Sequence, residues 1–233
     1  MRVLLTRPQE DAEVLAGRLR ELGHEVLSAP LLRVHFHDGE PLALGGVQAI
    51  LVTSANGVRA LARRTKRRDL PVFAVGPQTA RAALGAGFAR VESANGDVVA
   101  LADALPRWMG AEGGALLHAT GAAGAGRLAC LLAVKGYEVS TAVLYDIVTA
   151  AALPQEVVGA LADGSLDAAL FFSPRSAGVY RDCILNAGFS EACVRLIAVC
   201  ISKATADALL PLAFREIRVA ARPNQAALLA CLE

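Results

Sequence analysis

The chain has 233 residues, of which 55% are hydrophobic and 5% aromatic, and its formal net charge at pH 7 is +1. This length accommodates one large domain or two small ones with an ample apolar core. The near-neutral charge and the scarcity of aromatic side chains argue against a nucleic-acid-binding surface, and no charge-free apolar run is long enough to span a bilayer.

The start of the chain and the cysteines predict a cytoplasmic location. Charged residues, Arg7 and Glu10, closely follow the first apolar run, and this pattern does not fit a secretory signal peptide. The five cysteines are odd in number and lack CxxC spacing. Such usage is typical of buried thiols in a reducing compartment.

Short apolar runs alternate with helical patterns along the chain. In the first half, strands are predicted at 3–6, 25–29, 49–54 and 72–76, with helices at 8–22, 56–64 and from 77. In the second half, strands are predicted at 115–120, 138–143, 168–173, 195–201 and 217–221. Continuous apolar strands between helices are typical of parallel sheets covered on both faces, so the predicted class is α/β with four or five strands in each half.

The two halves carry their polar residues at corresponding places. TSANGV at 53–58 is echoed by FSPRSA at 172–177, and VGPQTARAAL at 75–84 is echoed by ISKATADALL at 201–210. Repeats of this length indicate two tandem lobes instead of a solenoid. The sequence therefore predicts two diverged copies of one α/β unit, with the echoed turns facing a shared cleft.

Two strand-like segments do not fit the strand–helix rhythm, and we interpret them as crossings between the lobes at 32–37 and 143–149. One lobe would then combine residues 1–34 with 148–233, and the other would comprise 38–144. Pattern alone favours a simpler split into sequential lobes near the middle of the chain. The discontinuous arrangement therefore depends on the family resemblance given below.

Four polar turns stand where a predicted strand ends and a helix begins. Free backbone N–H groups and the positive end of the helix dipole favour anions there, at the edge where open α/β sheets bind ligands. Helix capping by Ser and Thr explains any single turn, whereas four together favour a cleft for a polyanionic ligand. The residues concerned are Thr53, Ser54, Gly76, Thr79, Ser173, Arg175, Ser202, Lys203 and Thr205.

Three cations and one tyrosine are further candidates. Arg7 and Arg175 follow predicted strands and could bind a carboxylate or phosphate, and a surface ion pair with Glu10 or Asp11 is the alternative for Arg7. Lys203 begins a helix, where a cation opposes the dipole, so it is either functional or simply solvated. The hydroxyl of Tyr145 could donate a proton to a departing group, or the ring could only pack between the lobes.

Other patterns are weaker. The glycine-rich run 121–126 is only loosely similar to a dinucleotide-binding turn, and the acid at the expected distance, Asp146, falls in a crossing segment. His35 and His37 face one side of a strand without a third metal ligand. The basic run 63–69 lies at a helix end, which is typical of a solvated face that could steer an acidic substrate.

The ordered motifs together resemble the uroporphyrinogen-III synthases. They cover nearly the whole chain and comprise VLLTRP (3–8), LGHEV (22–26), ILVTSANGVRAL (50–61), VFAVGPQTARAAL (72–84), LYDIV (144–148), LFFSPRSAGVY (170–180) and ISKATADAL (201–209). The resemblance implies two α/β lobes joined by a two-stranded ladder, with the active site in the cleft between them. It also implies that no metal or organic cofactor is used. Nothing in the sequence marks an interface between subunits, so we expect a monomer.

The activity implied by the resemblance is cyclisation of linear hydroxymethylbilane, with loss of water and inversion of ring D, to uroporphyrinogen III. This is a carbon–oxygen lyase reaction on the way to heme, siroheme, cobalamin or chlorophyll. The substrate carries eight carboxylates and could be handed over transiently by hydroxymethylbilane synthase. The alternative is a non-catalytic two-lobed protein of the same fold that binds a small molecule or a partner.

The resemblance also assigns residues. Tyr145 matches the family tyrosine placed to assist hydroxyl loss, and Arg7 matches the basic position after the first strand. Ser202 departs from the family, which often has glycine there. The remaining matches lie in the paired strand-end turns and are Ser54, Ser173, Gly76, Thr79 and Thr205.

Overall fold

The computed structural model describes residues 1–7 and 9–232, without the side chains of residues 9–11. The predicted helix start at Pro8 therefore lies outside the described residues. The side chains of Glu10 and Asp11, the alternative partners considered for Arg7, also lie outside them. The chain divides into two compact units: Met1–Arg33 with Val148–Glu233, and Val34–Ile147. In the described ranges, no helix has the length and apolar character needed to cross a membrane.

The described strands are short, with one exception near the middle of the chain. They are β1 (Arg2–Leu5), β2 (Glu25–Ser28), β3 (Leu32–Phe36), β4 (Val47–Val52), β5 (Val72–Ala74), β6 (Val91–Ser93), β7 (Ala115–Gly121), β8 (Val139–Thr149), β9 (Ala168–Phe171), β10 (Ile197–Cys200) and β11 (Glu216–Val219).

Most helices follow a strand directly. They are α1 (Gln9–Glu21), α2 (Ala55–Arg64), α3 (Pro77–Gly85), α4 (Val98–Trp108), α5 (Arg127–Ala133), α6 (Gln155–Ala162), α7 (Pro174–Ala187), α8 (Ser190–Cys193), α9 (Lys203–Asp207) and α10 (Gln225–Leu229).

The first unit contains a five-stranded sheet in the order β11-β10-β9-β1-β2, with every neighbouring pair parallel. Side chains alternate between its two faces, as the strand pleat requires. Leu4 packs in the core on one face, whereas Val3 and Leu5 pack in the core on the other. Both faces are thus covered, which explains why the strands are apolar at consecutive positions.

The second unit contains a six-stranded sheet in the order β3-β8-β7-β4-β5-β6. The pairs from β8 to β6 are parallel. At β3, the N–H of His37 donates to Leu144 O at 2.8 Å, and the N–H of Ala150 donates to Leu31 O at 2.9 Å. Because the partner numbers run in opposite directions, β3 is antiparallel to β8.

The secondary structure differs from the sequence prediction in three main respects. The segments 138–143 and 143–149 form one continuous strand, β8, because no Gly or Pro interrupts them. The three-residue strand β6 is too short to show a pattern and was not predicted. Strands β4, β5 and β9 end two residues earlier than expected because the following Ser or Gly already belongs to the next helix as its N-cap.

The cysteines differ in exposure. All five are free, and Cys183, Cys193 and Cys200 are buried, but Cys130 is exposed, against the prediction that all are buried. Burial raises the pKa of the Cys200 thiol to about 12.

One buried polar side chain in the second unit is unsatisfied. His118, in β7, is fully buried, and neither ring nitrogen has a hydrogen-bond partner. Because burial disfavours the charged ring, the pKa of His118 falls from 6.5 to about 4. The folded protein therefore holds this histidine neutral at pH values where the unfolded chain protonates it.

We predict that His118→Leu flattens the acid side of the stability profile. In the parent, the unfolded state binds a proton below pH 6.5 and the folded state only near pH 4, so stability is lost as pH falls through this window. The loss amounts to about 3 kcal/mol when complete. Urea unfolding of parent and variant at several pH values measures it. Identical pH slopes would mean that the pKa of His118 is the same in the folded and unfolded states.

Candidate active site

The hydroxyl of Tyr145 contacts the hydroxyl of Ser54. Tyr145 lies in β8 and is 7% exposed, and its Oη is 2.8 Å from Ser54 Oγ. The ring of Phe36 packs against the tyrosine ring, with centroids 6.5 Å apart. Two residues that the sequence separates by most of the second unit therefore meet at the carboxyl end of β4.

Ser54 also caps helix α2. Its Oγ accepts the N–H of Gly57 at 2.9 Å. A Cβ on Gly57 would lie 2.8 Å from the carbonyl oxygen of Ala119, so only glycine allows the first turn of α2 to approach β7 this closely. Since Ser54 Oγ accepts from Gly57, its single proton can be donated to Tyr145.

The remaining predicted residues of the second unit lie at the same sheet edge. Thr53 follows β4 and Gly76 follows the neighbouring strand β5, where it is the N-cap of α3. Gly76 makes no side-chain cap, and its φ of −151° is open to any residue. Thr79 is buried in the first turn of α3. The start of α3 is thus a backbone N–H site without a competing hydroxyl from its own cap.

The corresponding residues of the first unit follow β9 and β10, which are neighbours. Ser173 Oγ accepts the N–H of Ser176 at 3.1 Å and lies 3.0 Å from Ser176 Oγ. Ser202 Oγ accepts the N–H of Thr205 at 3.3 Å and lies 3.0 Å from Thr205 Oγ1. Ser202, at φ −157°, has the same extended backbone as Gly76, so the departure from glycine adds a cap without changing the turn.

The three candidate cations, Arg7, Arg175 and Lys203, lie at one edge of the first unit's sheet because β1, β9 and β10 are adjacent. The guanidinium of Arg7 lies 4.7 Å from the ring centroid of Phe172 and donates to Gln225 Oε1 at 3.3 Å. Lys203 pairs with Asp207 one turn along α9, which offsets its unfavourable place at a helix start. Arg175 is exposed at the start of α7.

The pairing of His37 with Asp146 was not predicted from the sequence. Nε2 of His37 is 2.7 Å from the carboxylate of Asp146, and Nδ1 is 3.2 Å from Val143 O. Both ring nitrogens face acceptors, which favours the protonated ring. Asp146, the acid at the distance expected for a dinucleotide-binding turn, is therefore hydrogen-bonded to a histidine. Among residues 1–7 and 9–232, no group of three or more His, Cys, Asp or Glu could hold a metal ion.

Comparison with known proteins assigns the family. The family model described as uroporphyrinogen-III synthase HemD matches residues 13–230. The chain belongs to the uroporphyrinogen-III synthase family. The predicted resemblance is confirmed, and the assignment supports the function predicted from it, the synthesis of uroporphyrinogen III in tetrapyrrole biosynthesis. The search of curated proteins found no match.

Two solved structures show the same fold over the whole chain. The uroporphyrinogen-III synthetase from Helicobacter pylori has a TM-score of 0.65 and 18% identity, covering 100% of this chain and 98% of its own. A mutant uroporphyrinogen III synthase from the extremely thermophilic bacterium Thermus thermophilus has a TM-score of 0.50 and 20% identity, covering 100% and 97%. The predicted α/β class with parallel sheets flanked by helices is thus confirmed.

The His37–Asp146 pair should make the stability of this synthase-family chain depend on pH. The hydrogen bond to Asp146 is the largest cause that raises the pKa of His37 above 6.5, and Val143 O adds to it. Because the folded-state pKa is raised, the pair stabilises the fold at pH below 6.5, and this contribution is lost as pH rises through the folded-state pKa.

We expect Asp146→Asn to lower the pKa of His37, as followed by NMR titration of the imidazole protons. Asp38→Asn, which removes a neighbouring carboxylate in the sequence, is the control and should have a much smaller effect. Equal shifts in the two variants would contradict a specific hydrogen bond.

Proposed function

We propose that this chain cyclises hydroxymethylbilane to uroporphyrinogen III, with loss of water and inversion of ring D, as a carbon–oxygen lyase. The observation that carries the proposal is the buried Tyr145, whose Oη lies 2.8 Å from Ser54 Oγ at a sheet edge rich in helix starts. The family assignment supports the overall reaction, and the geometry supports a role for this hydroxyl pair.

In the proposed first step, Tyr145 donates its proton to the departing hydroxyl of the substrate, and water leaves. Ser54 donates a hydrogen bond to the tyrosine oxygen and stabilises the negative charge that develops there. The cationic azafulvene is then attacked by the substituted carbon of ring D. A spiro intermediate fragments and recloses, and the proton released when the last pyrrole regains aromaticity returns to Tyr145.

We further propose that both groups of strand-end residues hold carboxylates of the same substrate. The starts of α2, α3 and α7 offer free N–H groups and positive dipole ends, and Arg7 and Arg175 supply charge. Holding the linear chain in one geometry favours attack at the substituted carbon over simple closure. The proposed binding residues are Arg7, Thr53, Ser54, Gly76, Thr79, Ser173, Arg175, Ser202, Lys203 and Thr205.

We also propose that the protein works as a cytoplasmic monomer that receives its substrate by transient handover from hydroxymethylbilane synthase. The free thiols fit a reducing compartment. The departure from glycine at Ser202 is the feature of the sequence that would favour a family member without activity, and the backbone there matches that of Gly76. The conformation of this turn therefore gives no support to lost activity.

The activity is tested with hydroxymethylbilane generated in place, followed by oxidation and chromatographic separation of porphyrin isomers. We expect the type III isomer with the parent and, for Tyr145→Phe, a rate at least about a hundredfold lower with product binding nearly unchanged. Tyr137→Phe is the matched control, because Tyr137 is similarly buried in the same unit and its hydroxyl donates to Met109 O. Only the type I isomer from folded parent protein would contradict the proposed function.

Substitutions at Ser54 test the proton donation separately from helix capping. Glycine caps a helix nearly as well as serine, so Ser54→Gly should lose only a few tenths of a kcal/mol of stability but about tenfold to a hundredfold in kcat. Ser54→Thr should retain both the stability and the kcat of the parent. Asp97→Gly likewise replaces a capping side chain with glycine, at the start of α4, and should leave kcat unaltered. A Ser54→Gly enzyme with parental kcat would remove Ser54 from the mechanism.

A further inference from the structure

We propose that Gly121 is a positioning residue for Tyr145, acting together with a β-bulge in β8. The inference rests on the proposed role of Tyr145 in the cyclisation. It concerns how the fold positions the tyrosine hydroxyl. It also gives a structural role to Gly121, the first residue of the glycine-rich run 121–126.

The bulge is visible in the pairing of β7 with β8. Thr120 pairs with Val143, but Gly121 pairs with Tyr145, so Leu144 is an extra residue in β8. In a regular strand, consecutive side chains point to opposite faces of the sheet. Leu144 and Tyr145 are instead both buried in the same apolar cluster, at 2% and 7% exposure. Bulges of this kind redirect side chains and are common beside active sites.

Glycine is required at position 121 by space and not by backbone conformation. The φ of Gly121 is −89° and its ψ is 164°, values that any residue adopts. A Cβ there would lie 2.6 Å from Cζ and 2.7 Å from Cε2 of Tyr145. Cζ is the ring atom that carries the hydroxyl, so any added side chain must displace the group that contacts Ser54.

The loop after Gly121 restricts relief of this clash. Thr120 is buried, and its Oγ1 donates to Gly121 O at 3.2 Å. A Cβ on Gly124 would lie 2.6 Å from Thr120 Oγ1, so the loop folds tightly back on the end of β7. The carbonyl of Gly121 is therefore hydrogen-bonded and the loop after it packs on Thr120, so we expect the tyrosine ring to be the part that moves.

The test compares Gly121→Ala in the parent and in a Tyr145→Phe background. In the parent, we expect kcat to fall about tenfold to a hundredfold with KM nearly unchanged, because a displacement near 1 Å suffices for such a loss. In the Tyr145→Phe background, the same change should have little further effect on kcat, since the hydroxyl is already absent. Gly110→Ala is the control, because a Cβ there meets nothing within 4 Å.

Parental kcat in a folded Gly121→Ala protein would overturn the proposal, and so would an equal fractional loss in both backgrounds, which indicates general disruption. If Gly121→Ala does not fold, the same substitution is made in a Tyr145→Ala background and folding is compared. Removing the ring should restore folding, and failure to restore it would refute the steric argument. Parental activity of Tyr145→Phe alone would instead refute the catalytic role of Tyr145, on which the proposal rests.

Discussion

The geometry of the candidate site depends on one hydroxyl group, that of Ser54. It accepts one of the free N–H groups in the first turn of α2, that of Gly57 at 2.9 Å, and lies 2.8 Å from the oxygen of Tyr145. A helix start needs such an acceptor, and a buried tyrosine hydroxyl needs a partner. One side chain meets both requirements, so the strand end, the helix start and the candidate acid are fixed relative to one another within the unit Val34–Ile147.

Electrostatics in this protein are local. The basic run 63–69 was predicted to be a solvated face, yet much of it is engaged. Arg64 donates to the carbonyls of His37 and Glu40, and Arg68 donates to those of Thr65 and Ala86. These guanidiniums satisfy carbonyl groups at a helix end and in the adjoining loops, where cations are favoured. With a net charge of +1, binding of the proposed polycarboxylate substrate would then depend on the helix starts and on the few arginines at strand ends.

The sequence indicated Ser54 and Tyr145 separately, because a serine after an apolar run and a lone tyrosine in a strand are visible as patterns. Their contact was not predictable, since it depends on a register shift at Leu144 inside an unbroken apolar segment. Gly121 was misleading for a related reason. The sequence does not distinguish a glycine needed for a positive φ from one needed for the space beside a ring, and the run 121–126 is loosely similar to a dinucleotide-binding turn. The pairing of Asp146 with His37 was likewise not predictable, because His37 lies just after β3, the strand that pairs with β8 in antiparallel orientation.

The echoed turns show how one local design serves two different purposes. Both serines accept the N–H of the residue three positions on, at 2.9 Å for Ser54 and 3.1 Å for Ser173. In the first unit that residue is Ser176, whose hydroxyl lies 3.0 Å from Ser173 Oγ, so the polar groups of the turn satisfy one another. In the second unit it is Gly57, which has no side chain to offer, and the serine proton remains available for Tyr145. The close approach of α2 to β7, which demands a glycine at 57, is therefore also what leaves Ser54 free to act on the tyrosine.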